Sequence, residues 1–155
     1  MLLTDAQMKS YLINGYTTVQ TAHPPTFHQQ IHRQIETLYA TTGNPGNDIL
    51  PKVPDLHQIL QDPAVHGALQ SLLGPDYIVH PHRHCHHNPT GSKGQGMHQD
   101  SYEDDQNVRH HRTRWTMAFY YPQDVAIDMG PTAILPATQY YHSSEQAHRR
   151  TEQPL

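Results

Sequence analysis

The chain has 155 residues, 35% apolar and 15% charged, with a formal charge of −4 when its histidines are neutral. That length suits one domain, the scarcity of charge argues against charge-driven disorder, and the acidic balance argues against a nucleic-acid protein, which shows a basic stripe. The 15 histidines would reverse the sign of the charge on protonation, since imidazole titrates at about 6.5. Thr4 or Asp5 caps a first helix, in which Met8, Leu12 and Ile13 keep helical spacing and Gly15 supplies the terminus. Residues 16–20 alternate with β-branched side chains, as a strand does. Pro24-Pro25 opens a second helix whose Phe27, Ile31, Ile35 and Leu38 share one core-facing stripe. The breaker Gly43-Asn44-Pro45-Gly46-Asn47 ends it. Two short helices are predicted next, over 54–60 and 63–73, the second stopped by Gly74-Pro75.

From Tyr77 the period shortens to two. Residues 77–87 predict a strand carrying Ile78, His80, His82, His84 and His86 on one face. Residues 88–96 read as a polar loop, 97–101 as a short extended piece, and an acidic loop runs through Asp104 and Asp105 towards His110 and His111. Residues 114–121 carry the strongest strand pattern of the chain, bounded by Pro122. A turn at Asp128-Met129-Gly130-Pro131 leads to a last strand over 132–135, closed by Pro136. Ser143 and Gln146 have capping-box spacing for a final helix. Helices followed by antiparallel-looking strands predict an α+β, mostly β class with a barrel.

The sharpest chemical signal is His98-Gln99-Asp100. In an extended segment, side chains at i and i+2 share a face, so an imidazole and a carboxylate can chelate one ion. Two histidines and one carboxylate form the facial triad of non-haem Fe(II) oxygenases. The second constellation is the row of His80, His82, His84 and His86, with His87 beside it. Imidazoles at this spacing bind Zn, Cu or Ni, and they equally suit the wet wall of a cavity. A non-catalytic, histidine-rich metal-binding protein is therefore the alternative function.

The string Gly96-Met97-His98-Gln99-Asp100 precedes Arg114-Trp115-Thr116-Met117-Ala118-Phe119 and then Gly130-Pro131-Thr132-Ala133-Ile134-Leu135-Pro136-Ala137-Thr138. With Leu3-Thr4-Asp5-Ala6-Gln7, Asn14-Gly15-Tyr16 and Leu73-Gly74-Pro75, this order resembles the phytanoyl-CoA dioxygenase family over about residues 2–142. The resemblance implies N-terminal helices followed by part of a double-stranded β-helix, a jelly-roll or cupin-like barrel. It implies an Fe(II)- and 2-oxoglutarate-dependent dioxygenase that hydroxylates an organic small molecule, releases succinate and uses ascorbate as a reductant. The family's glycine-serine-histidine after the turn proline is Ala137-Thr138-Gln139 here.

By the resemblance, His98 and Asp100 match the proximal iron ligands, and no catalytic residue is assigned beyond them. Trp115 matches the aromatic residue lining the 2-oxoglutarate site, and Lys52 and Arg83 match basic residues near the cosubstrate. The family's distal histidine ligand and its 2-oxoglutarate-binding arginine follow on later strands, and neither His142 nor His148 stands at the matching position. The expectation is one oxygenase-like domain over 1–155, incomplete at its C-terminus and an inactive fragment by itself.

No run of about 18 apolar residues exists, so no membrane span is expected. The single Cys85 excludes an internal disulfide and a paired-cysteine zinc ribbon. Met1-Leu2-Leu3-Thr4-Asp5 lacks the pattern of a secretory leader and Gln153-Pro154-Leu155 is no retention address, so a cytoplasmic protein is expected. The partners expected are a small-molecule substrate and, through exposed strand edges, further copies of the chain.

Overall fold

The computed structural model describes residues 1–98 and 113–139. Helix α1 (Asp5–Asn14) starts at a complete capping box: Thr4 Oγ1 accepts from the Gln7 amide at 3.3 Å and Gln7 Oε1 accepts from the Thr4 amide at 2.9 Å. Gly15 ends α1 in the left-handed region at φ 80°, which glycine enters without a Cβ penalty. The last carbonyls of a helix lack partners within it, and here the chain segment 137–139 supplies them. The Ala137 amide donates to the Asn14 carbonyl at 3.0 Å, and Gln139 Nε2 donates to the Leu12 carbonyl at 2.9 Å. A Cβ on Gly15 would run into the Gln139 side chain.

Helix α2 (Pro25–Thr42) begins with proline at its first position, where the missing N–H costs nothing. Helices α3 (Ile49–Lys52) and α4 (Leu56–Gln61) are short, and α5 (Pro63–Leu73) is capped by Asp62. Ile31 of α2 is fully buried against Ile49, Leu50, Val53 and Ile59, with Phe27, Ile35 and Leu38 packed beside them. The stripe expected on the second helix is thus the helical side of the core. Cys85 and Tyr120 join that core from the later, non-helical segments, which fixes both segments against α2. The start of the chain lies across α5: the Met1 amino group donates to the Pro63 carbonyl and the Leu3 amide to Ser71 Oγ at 2.9 Å. A Cβ on Gly67 would collide with the Met1 backbone, so this crossing needs a glycine.

The expected mostly-β barrel is not what the described residues form. They are 44% helical and contain no strand, sheet or barrel. The strands expected over 16–20, 77–87, 114–121 and 132–135 have no ladder partner among the described residues. The end of the piece over 97–101, the acidic loop with Asp104, Asp105, His110 and His111, and the helix beginning near Ser143 lie outside the described residues. A two-residue period specifies which way side chains point, whereas a strand also needs a neighbour about 4.8 Å away to take its amides and carbonyls.

Segment 113–121 makes the distinction visible. Thr116 Oγ1 meets the Tyr11 hydroxyl of α1 at 3.1 Å, and Tyr120 reaches His28 of α2. The alternate residues Trp115, Met117, Phe119 and Tyr121 are each about half exposed. Thr116 and Tyr120 are the half-buried anchors of a segment whose Arg114 and Ala118 are exposed as well. Among the described residues, no helix is long and apolar enough to cross a membrane.

Candidate functional site

The histidine-rich segment follows α5 and is tied back to the helices at successive points. Tyr77 Oη lies 2.7 Å from Nδ1 of His66 on α5. The Arg83 amide donates to Asn47 Oδ1 at 2.9 Å, while Arg83 Nε and Nη2 donate to the Asn47 carbonyl at 3.2 and 2.9 Å. The Tyr39 hydroxyl of α2 donates to the Cys85 carbonyl. Burial pushes the Tyr39 phenol up to about 12, with the adjacent Cys85 adding to the effect. Burial likewise pushes the Cys85 thiol up, more than Tyr39 pulls it down, so this cysteine is a packing residue rather than a ready thiolate.

Between these ties the imidazoles form a row. Nδ1 of His80 accepts the His82 amide at 3.1 Å, and the His80 ring stands edge-on to the indole of Trp115, centroids 5.5 Å apart. Nε2 of His82 and Nε2 of His84 lie 2.6 Å apart. The rings of His84 and His86 are 5.7 Å apart. Further along, Nδ1 of His98 lies 2.8 Å from the Gly96 carbonyl. A carbonyl can only accept, so Nδ1 carries the proton and the lone pair of the neutral ring sits on Nε2. That is the tautomer in which histidines bind metals, their other nitrogen donating to a backbone carbonyl or carboxylate.

Trp115 joins the histidine row through His80, and the residue is about half exposed. His98 is exposed, and Asp100 lies outside the described residues. Lys52 closes α3 and is exposed. The Arg83 guanidinium is engaged by Asn47, so a cosubstrate carboxylate would have to compete with that carbonyl. Among the described residues, no group of three or more His, Cys, Asp or Glu is arranged to hold a metal. In sequence, His98 stands two residues before Asp100; they supply two of the three donors of the iron triad, and the second histidine has no assigned position.

Two arrangements were not foreseen. Asn47 read only as part of a breaker, and nothing in its local sequence points to Arg83, 36 residues away. Asp62 is 3% exposed and accepts from the amides of Ala22, Ala64 and Val65. The dipeptide Asp62-Pro63 is itself a capping signal, although the bond to Ala22 is not readable from it. Set against protein-family models, curated proteins and solved structures, the chain matches none. The likeness to the phytanoyl-CoA dioxygenase family therefore rests on the motif residues alone.

Proposed function

We propose that this chain holds Fe(II) through the imidazole of His98 and the carboxylate of Asp100 and serves the 2-oxoglutarate-dependent hydroxylation of an organic small molecule. The observation that carries the reading is the bond between His98 Nδ1 and the Gly96 carbonyl, made inside the motif Gly96-Met97-His98-Gln99-Asp100. It orients the ring and keeps its lone pair on the outer nitrogen. Bound iron would supply the oxidising chemistry with O₂ and 2-oxoglutarate, with ascorbate as the external reductant. The chain's own residues bind and orient. Trp115 offers a flat apolar wall beside His80, and Lys52 and Arg83 are the basic residues proposed near the cosubstrate.

The turn after Leu135 adds support. Ala137 stands where the family motif has glycine, and its φ is 62°. An L-residue enters that region at a cost and glycine does so freely, so the turn keeps the shape of a glycine turn without the glycine.

The test is calorimetric titration with Mn(II) in place of Fe(II), under anaerobic conditions. Mn(II) stands lowest in the first-row affinity order and is poorly held by imidazole alone. His98→Ala and Asp100→Ala should each abolish binding, and His84→Ala should leave it unchanged. Equal loss in all three variants would overturn the assignment.

A further inference from the structure

We propose that His82 and His84 form a second metal site, independent of His98, that takes a borderline divalent ion of the zinc, copper and nickel class. The two Nε2 atoms already converge to 2.6 Å. At that distance one nitrogen must carry a proton and donate it to the lone pair of the other. A metal ion can replace that shared proton. With Zn–N bonds of about 2.0–2.1 Å, a tetrahedral ion holds two ligand nitrogens about 3.3 Å apart. The rings therefore need to open by only about 0.7 Å to admit it. Both side chains are exposed, so the adjustment is a side-chain rotation with no core to repack.

What makes this pair a site rather than two surface histidines is the way its backbone is held. The residue between them, Arg83, is fixed to Asn47 by three hydrogen bonds. The residue after them, Cys85, is fixed to α2 by the Tyr39 hydroxyl and packs against the core. His84 thus sits between two anchored residues, and the entropy of bringing its ring to His82 is largely spent on folding. The Arg83 amide, donated to Asn47, is not offered to a metal, so the ligands are imidazoles. His80 is not the third ligand either, because its Nδ1 takes the His82 amide and its ring stands against Trp115. The chain thus supplies two imidazoles, and water completes the shell.

The ion preference follows from the donors. Neutral imidazoles without a carboxylate favour the upper end of the divalent affinity order, Cu(II), Ni(II) and Zn(II), over Fe(II) and Mn(II). The experiment uses the full chain carrying His98→Ala and Asp100→Ala, so that its failure and that of the iron assignment remain distinct. Zn(II) affinity is measured by competition with a chromophoric chelator, with the helical circular dichroism of each variant as the control for folding. His82→Ala and His84→Ala should each weaken binding by at least about 100-fold, beyond the 10–100-fold of an outer-shell change. Asn47→Ala, which releases Arg83, should weaken it by roughly 10-fold, and His57→Ala on α4 should leave it unchanged. With Cu(II), the nitrogen splitting in the electron paramagnetic resonance spectrum should report at least two imidazoles and lose one in each single variant. Zinc affinity unchanged in His82→Ala and His84→Ala, or a loss in His57→Ala as large as theirs, would overturn the proposal.

Discussion

The hydroxyl of Tyr120 lies 2.7 Å from Nδ1 of His28, joining residues 92 positions apart. Nε2 of the same imidazole lies 3.1 Å from Thr21 Oγ1, so one histidine of α2 ties together the chain before the helix and the segment after the histidine row. An open cleft lined by Val19, Gln20, Phe119 and Tyr121 runs beside this junction. Tyr120 also packs against the core, which is why segment 113–121 has a defined place without belonging to a sheet.

Burial pushes the Tyr120 phenol up to about 12, and Tyr39 stands at about 12 as well. An unfolded tyrosine ionises at about 10, so the folded state holds these protons more tightly. The stability this contributes is fully present below pH 10 and is lost as pH rises from about 10 through about 12. Absorbance titration at the tyrosinate band should show Tyr39 and Tyr120 ionising near pH 12 in step with loss of helix. Tyr120→Phe should remove one of the two and lower stability at neutral pH by about 1 kcal/mol, through the hydrogen bond lost by His28.

Asp62 caps α5 through its side chain. Burial pushes its carboxyl up, but the amides of Ala22, Ala64 and Val65, with His23 nearby, outweigh that and hold it below its ordinary value. A depressed carboxylate contributes stability that is present above its unfolded pKa of about 3.9 and lost as pH falls through the folded value. Asp62→Ala removes the cap of α5 and strands the Ala22 amide, a combined cost of about 2–3 kcal/mol. Urea unfolding at pH 7 should show that loss, and the gap between the two proteins should shrink below about pH 4.

Ala137 occupies a left-handed backbone position at φ 62° and donates its amide to the end of α1. Ala137→Gly should relieve the Cβ strain and raise stability by about 0.5–1 kcal/mol, after the extra chain entropy of glycine is subtracted. Thermal unfolding checks it, and a lower melting temperature would mean that the turn holds no such strain.

Trp115 is the single tryptophan of the chain, so its fluorescence reports one place. If it borders the cosubstrate, 2-oxoglutarate should quench it in the presence of Mn(II) and leave it unchanged without metal, because the keto acid is held mainly through the ion. Quenching without metal, or none in protein shown to bind 2-oxoglutarate, would remove Trp115 from the site.

Helices α1, α2, α4 and α5 were legible in the sequence because their determinants are local, whereas α3 (Ile49–Lys52) was not foreseen. The Thr4–Gln7 capping box, Gly15, Pro25 at the start of α2 and the four-residue spacing of Phe27, Ile31 and Ile35 all act within one or two turns. The His98-Gln99-Asp100 spacing was legible in the sequence by the same local rule. Pairing was not. Whether an alternating segment becomes a strand depends on a neighbour that its own residues do not encode, and in the described residues that place is taken by helix contacts to Tyr11, His28 and Tyr39. Likewise, His82 and His84 could be seen as ligands by type, but their meeting depends on Asn47 holding Arg83 and Tyr39 holding Cys85. Local chemistry in the sequence determined which residues could cap, turn or bind. Contacts across 36 to 127 residues of chain decided which of them meet, since hydrogen-bond partners at that range are selected only when the core closes.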